Sequence, residues 1–272
     1  MKLLVQAPAE AAELCWRYPI KDSEIKAFRR HGFVHLESVL NEGTLAALRS
    51  RLLPLVSEGG KSRRTSDYGM AFRYCMHAWL CDEFVRQVTL CRRLASIAAE
   101  LLGVNSVRLS HDQAMFKEPA GIGTPTHADQ FHLPLASDNV VSIWVPLQPV
   151  PVEMGTLSFF EGSHLINPSE RESLVFAPNQ LLDAKLRTFL ERAEPYEVGD
   201  ISAHYGWTFH RSFANTTDKT RAAFGVVYAV GDVTVRQPFG DISVSALSHW
   251  SPGAKVGEPL RSTRNPIVFS RR

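Results

Sequence analysis

In the segment THADQFH, His127 and Asp129 stand two residues apart, and on a β-strand residues i and i+2 share a face. An imidazole and a carboxylate on one face can begin a metal site, but two ligands hold an ion weakly. A third must come from a distant part of the chain, and His210, in YGWTFHRSFANTTDKTR, is the candidate. Two histidines and one carboxylate on one side of an ion leave coordination positions open, the arrangement that non-haem iron(II) oxygenases use, whereas zinc more often takes further nitrogen or sulfur. The expected site is Fe(II) on His127, Asp129 and His210. Taken alone the HxD triplet is weak, because such triplets arise by chance and a lone strand histidine is more often structural.

The surroundings strengthen it. Beyond His210, Arg221 opens the apolar run AAFGVVYAV, whose alternation would carry the guanidinium into the same interior as the histidine. A buried arginine needs an anion, and its planar fork suits a carboxylate. With no obvious acidic partner in the sequence, the carboxylate of a bound small molecule is the economical explanation; a structural salt bridge to an Asp or Glu is the alternative.

The elements that must position these residues fall into two textures. Up to about residue 104 the chain is mainly helical. Asp22 or Ser23 can cap a helix that ends at Gly32, Leu45, Leu48 and Leu52 share one face of a second helix, and Val88, Leu94, Ile97 and Leu101 share one face of a third over 86–102. A short strand is expected at Phe33–Leu36. From about 105 to 230, β-rich runs separated by Gly, Pro, Asn and Asp follow at Ser106–Lys117, Thr126–Leu133, Val140–Leu147, Thr156–Phe160, Pro195–Ala203 and Ala222–Val230. Pro168–Glu194 reads as a loop and then a helix over Leu181–Glu191. Regularly spaced strands of this kind imply an antiparallel sandwich or barrel, here one domain spanning residues 1–272 with a covering segment at 231–272.

Composition excludes several classes. The chain has 272 residues, 44% of them hydrophobic and 21% charged, as in ordinary globular proteins. A net charge of +2 is too small to argue for a nucleic-acid or polybasic membrane partner. No stretch approaches the roughly 18 apolar residues of a membrane span. The four cysteines form no CxxC pair, so neither a zinc site nor a disulfide framework is expected. The cytoplasm is the expected location and suits ferrous iron; oligomeric state is not readable.

In order and spacing, HGFVHL, DQAMFKEPAG, HADQ, VSIWVPLQPV, MGTLSFFEGSH and VGDISAHYGWTFHRSFANTTDKTRAAF resemble the phytanoyl-CoA dioxygenase family of iron(II)- and 2-oxoglutarate-dependent oxygenases. The likeness runs from about residue 22 to 230. It implies a mainly β fold with flanking helices, a double-stranded β-helix (a cupin-like jelly roll) whose mouth holds the metal. It also implies that His127, Asp129 and His210 are the iron ligands, that Arg221 pairs with the distal carboxylate of 2-oxoglutarate, and that Ser212 lies near that co-substrate. Gln113 and Trp144 fall on further co-substrate wall positions, with simple packing as the alternative for Trp144. The implied activity is a hydroxylase using Fe(II), 2-oxoglutarate and O2, giving succinate and CO2. Asp129 disfavours halogenation, since related halogenases replace that carboxylate; desaturation, epimerisation and ring formation stay open.

The substrate is expected to be a small metabolite or natural-product intermediate. Phe72, Arg73, Trp79, Gln130, His132, Phe159 and Trp207 are expected near it by their placement beside the strands of the mouth, with packing as the alternative for each aromatic. The basic group Lys61, Arg63 and Arg64 reads as a loop able to close over the site. Two other readings compete: a cupin-like zinc or manganese isomerase or hydrolase without 2-oxoglutarate, which leaves Arg221 and Ser212 unexplained, and a non-catalytic ligand-binding relative.

Overall fold

The computed structural model describes residues 9–59, 71–177, 179–239 and 247–271. Helix α1 (Asp22–His31) ends at Gly32, which adopts a left-handed φ of 90° and donates its N–H to the Phe28 carbonyl. Its N-terminus differs from expectation: Lys21 is the cap residue, and its backbone N–H is taken by Glu24 at 2.7 Å. Strand β1 (Phe33–Leu36) follows, then α2 (Glu42–Gly59), which buries Leu45, Leu48 and Leu52. A strand that sequence reading passed over, β2 (Phe72–Met76), precedes α3 (Glu83–Thr89) and α4 (Arg92–Leu102). The expected single helix over 86–102 is therefore two, broken where the Cys91 sulfur accepts the Leu94 N–H and starts a new helix.

The β-rich part comprises β3 (Ser106–Lys117), β4 (Thr124–His127), β5 (Val140–Pro146), β6 (Leu157–Phe160), β7 (Glu191–Ala193), β8 (Ile201–Tyr205), β9 (His210–Ser212), β10 (Arg221–Val230) and β11 (Ile267–Ser270). Between β6 and β7 lie two short helices, α5 (Pro168–Val175) and α6 (Asn179–Leu186). Several expectations give way here. The loop expected from Pro168 is a helix, begun by Pro168 and the Asn167 side chain; the helix expected over 181–191 stops at Leu186, and Glu191 belongs to a strand. The strand expected over 195–203 begins only at Ile201.

Two antiparallel sheets result. One runs β1-β8-β5-β10-β3-β11 with β2 also on β3, and the other runs β4-β9-β6-β7. The first sheet buries one face against the N-terminal helices: Val141, Ile143 and Val145 of β5, Ile201 and Ala203 of β8, and Phe224 and Tyr228 of β10 join the helical leucines in the main core. Alternation sends Ser142, Trp144, Ser202 and His204 to the other face.

In β3 that alternation changes phase. Val107 and Leu109 face the helices, but the pairing shifts between Val227 and Tyr228, so that Val227 opposes His111 and Tyr228 opposes Leu109. Ser110 is the extra residue of a bulge. Beyond it Asp112, Ala114 and Phe116 are the buried core-side residues, while His111, Gln113 and Met115 line a cavity between the sheets.

The bulge drives Asp112 into the core, where Oδ2 accepts from the Trp79 N–H at 2.9 Å and the Thr89 hydroxyl at 3.0 Å. Burial raises its carboxyl to about 7 against these hydrogen bonds. The folded state thus holds this proton more tightly than the unfolded chain, so stability falls as pH rises from about 4 through about 7. Asp112→Asn is expected to lack that loss: relative to the parent protein, its melting temperature should move upward by several degrees between pH 5 and pH 8, as thermal denaturation at the two pH values would show.

Candidate metal and co-substrate site

A cavity of about 380 Å³ opens between the two sheets. His127 is the last residue of β4 and pairs across the ladder with His210, the first of β9, bringing their ring centroids to 4.3 Å. Asp129 is not on the strand as expected. It begins a 3-10 turn, Asp129–His132, that folds back over the sheet end. The three side chains still converge, with one ligand atom from each lying within 4.8 Å of the others.

Their hydrogen bonds decide which atoms face inward. His127 Nδ1 lies 2.8 Å from the Pro125 carbonyl and His210 Nδ1 lies 3.0 Å from the Thr208 carbonyl. A carbonyl only accepts, so each Nδ1 carries the proton and each Nε2 presents a lone pair. Those Nε2 atoms lie 3.5 and 3.8 Å from Asp129 Oδ1. Asp129 Oδ2 is claimed on its other side by the Ser142 hydroxyl at 2.5 Å and His204 Nε2 at 3.1 Å. Burial raises the Asp129 carboxyl, but His210, His127 and His204 outweigh it and hold the group well below its ordinary range. Burial lowers His210 strongly, reinforced by His127 and His204; for His127 burial is opposed and exceeded by Asp129. Neutral imidazole and ionised carboxylate are the forms a divalent metal requires. Two nitrogens and one oxygen directed at one point therefore fit such an ion.

Another part of the cavity is cationic. Arg221, buried at the start of β10, donates from Nη1 to the Gly155 carbonyl at 2.6 Å, with its guanidinium carbon 5.4 Å from the Trp144 ring and 5.9 Å from that of Phe72. Ser212 Oγ accepts from Lys117 Nζ at 2.7 Å and donates to Thr124 Oγ1 at 2.9 Å. Lys117 also donates to the Phe213 carbonyl, and burial together with Arg221 lowers its ammonium to about 7. Ser212, Gln113, Trp144 and Arg221 all line the same cavity as the triad.

Of the residues expected at the mouth, Phe72 and His132 line the cavity. The others face elsewhere. Arg73 pairs with Glu118, and Trp79 is buried beneath Arg86 at 5.3 Å. Gln130 is buried and spends its amide on the Leu135 and Ser137 carbonyls, closing its own turn. Phe159 lies behind the metal ligands, stacked on Phe33 at 4.6 Å and tilted against His210 at 5.9 Å. Trp207 packs with Ala128 and Phe209 and bonds Asp138 at 2.9 Å. In each case strand register or turn geometry turned the side chain away from the mouth. The group Lys61, Arg63 and Arg64 lies outside the described residues.

His204, Ser142 and Lys117 were not singled out from the sequence. One signal was available for the first: in ISAH, Ile201 and Ala203 are the apolar alternates, so His204 must take the opposite face. No sequence signal pairs Ser142 or His204 with Asp129, because those contacts join separate elements.

With the geometry established, comparison places the chain among known proteins. A family model described as phytanoyl-CoA dioxygenase matches residues 28–223. The chain is 24% identical over 277 residues to phytanoyl-CoA dioxygenase domain-containing protein 1 of Danio rerio, covering 80% of this chain and 93% of that one. Among solved structures, the non-haem alpha-ketoglutarate-dependent carbocyclase SnoK from nogalamycin biosynthesis superposes with a TM-score of 0.79 at 27% identity, covering 92% of this chain and 97% of that one. The epimerase SnoN, in complex with Fe3+, alpha-ketoglutarate and nogalamycin RO, gives 0.77 at 26% identity, covering 91% and 98%.

Because Ser142 and His204 fix which carboxylate oxygen faces the imidazoles, Ser142→Ala is expected to weaken binding of Co(II) by about tenfold to a hundredfold. Isothermal titration of the purified variant would measure it; unchanged affinity would show that the hydroxyl does not orient Asp129.

Proposed function

This chain belongs to the phytanoyl-CoA dioxygenase family, and from that premise we propose that it is an iron(II)- and 2-oxoglutarate-dependent dioxygenase that oxidises a C–H bond of a small natural-product or metabolite scaffold. The observation that carries this reading is the pairing, within one cavity, of the His127, Asp129 and His210 donors with a buried arginine.

His127, Asp129 and His210 hold the metal on one side, each imidazole locked in the required tautomer by a backbone carbonyl. Arg221 takes the distal carboxylate of 2-oxoglutarate, and Ser212, held by Lys117, offers a second contact there. Trp144 walls the guanidinium and keeps water from it. Gln113 stands on the β3 wall of the same cavity. Iron(II), 2-oxoglutarate and O2 bound there supply the oxidising power, with succinate and CO2 as co-products. What the protein adds is position: a substrate entering past His132 must present one C–H bond to the metal.

Hydroxylation is the simplest outcome. A second reading is favoured by one observation: the structural relatives described above are a carbocyclase and an epimerase rather than hydroxylases. The same machinery would then remove hydrogen without leaving oxygen in the product. Product mass separates the readings, rising by one oxygen for hydroxylation, falling by two hydrogens for ring closure and staying constant for epimerisation.

The direct test is anaerobic addition of Fe(II) and then 2-oxoglutarate, with the weak visible charge-transfer band of the chelated keto acid as readout. The band is expected in the parent protein and not in His210→Ala; iron binding without the band would favour a cupin-like metalloenzyme that does not use 2-oxoglutarate. His127→Ala and Asp129→Ala are expected to abolish turnover while melting close to the parent protein. Arg221→Ala should raise the 2-oxoglutarate requirement by roughly 30-fold or more, since truncating one partner of a buried charged pair costs about 2–5 kcal/mol. Unchanged co-substrate affinity would return Arg221 to a structural role.

A further inference from the structure

The family assignment leaves unexplained an aromatic wall built from two distant parts of the chain. The short helical stretch at 247–250 brings Trp250 over His111 of β3, with ring centroids 4.3 Å apart and planes 26° from parallel. Both rings line the cavity that holds His127, Asp129 and His210. We propose that this pair is a substrate subsite that binds a flat, uncharged aromatic ring bearing oxygen substituents; the inference rests on the oxygenase reading and deepens it.

Three observations carry it. First, Trp250 is only partly buried, and it packs on one side against the apolar cluster of Leu133, Val140, Val227 and Ala229. A large indole left partly open beside a cavity is poised to cover a ligand of similar shape, because offset stacking rewards ring upon ring beyond the area it buries. Second, His111 is fixed. Its Nδ1 meets the Ser110 hydroxyl at 3.2 Å, the bulge residue that turned this ring toward the cavity, so Nε2 is the polar atom left for a phenol or quinone oxygen. On the neighbouring strand of the same sheet Tyr74, stacked on Phe72 at 5.3 Å, supplies further aromatic surface.

Third, the charges lining the cavity are already engaged. Arg221 lies at the co-substrate end on the Gly155 carbonyl, Arg211 is held in a two-pronged pair by Glu191 at 2.6 and 2.5 Å, and Asp129 is the metal carboxylate. Imidazoles and Arg221 aside, the described lining residues offer a charged substrate group no ionic partner, and on the oxygenase reading Arg221 is taken by 2-oxoglutarate. Phosphates of an acyl-coenzyme A would gain nothing from this wall.

The test uses 1,8-dihydroxyanthraquinone as probe and anthraquinone-2-sulfonate as its anionic counterpart, titrated by visible absorbance against the full chain under anaerobic Fe(II) and 2-oxoglutarate. The neutral probe is expected to bind the parent protein, to bind Trp250→Ala about tenfold or more weakly, and to bind Trp250→Phe within a few-fold of the parent; the sulfonate should bind more weakly than the neutral ring. Equal binding to Trp250→Ala, or no binding to the parent, would overturn the subsite, and equal binding of the sulfonate would overturn its uncharged class. The charge-transfer band in the same samples keeps the two readings apart. A band with probe binding indifferent to Trp250 sinks the subsite alone, whereas Trp250-dependent binding without a band sinks the oxygenase reading and leaves the aromatic subsite standing.

Discussion

A carboxylate packed among three imidazoles, largely out of water, is the constraint on which the site depends. An unpaired buried donor or acceptor costs more than a hydrogen bond returns, and of the three imidazoles His204 alone leaves a buried ring nitrogen, Nδ1, without a partner. The two outward Nδ1 protons go to the Pro125 and Thr208 carbonyls, and Asp129 Oδ2 is taken by Ser142 and His204. Three electron-rich atoms, the Nε2 of His127 and of His210 and Asp129 Oδ1, are turned toward one another across 3.5 and 3.8 Å. A divalent cation among them converts mutual repulsion into coordination, so the same hydrogen bonds that satisfy the backbone also preorganise the donor set.

The scaffold that permits this is a sheet with two unlike faces. One face of β3, β5, β8 and β10 is apolar and anchored on the N-terminal helices, so those strands cannot slip without exposing Val141, Ile143, Phe224 and Tyr228 to water. The opposite face is thereby free to carry polar groups in a fixed register. The bulge at Ser110 refines the arrangement by reversing the phase of β3 halfway along, which places His111, Gln113 and Met115 on the cavity and commits Asp112 to the core.

Polarity divides the cavity along its length. Arg221, with Trp144 and Phe72 around its guanidinium, makes one part of the cavity positive, the donor triad occupies another, and Tyr74, His111 and Trp250 add aromatic lining. Part of the remaining lining comes from β2, β3 and the C-terminal segment, elements separate from those that carry the donors.

From the sequence alone, residue types and short spacings determined a good deal: the HxD pair, the distal histidine, the arginine that opens an apolar strand, and the ordered motifs that mark the family. Those are local properties, because a strand's period of two and a turn's chemistry are written in adjacent residues. Helix ends at Gly32 and the faces of α2 were legible for the same reason. The orientation of Asp129 by Ser142 and His204, the anchoring of Ser212 by Lys117, and the meeting of Trp250 with His111 were decided only in three dimensions. Each joins residues from separate elements, and which aromatics reach the cavity depended on register, so that Phe159 and Trp207, apolar and well placed in the sequence, packed behind the site instead. Pairing across sheets and a single inserted residue set those contacts, and neither leaves a periodic trace in the chain.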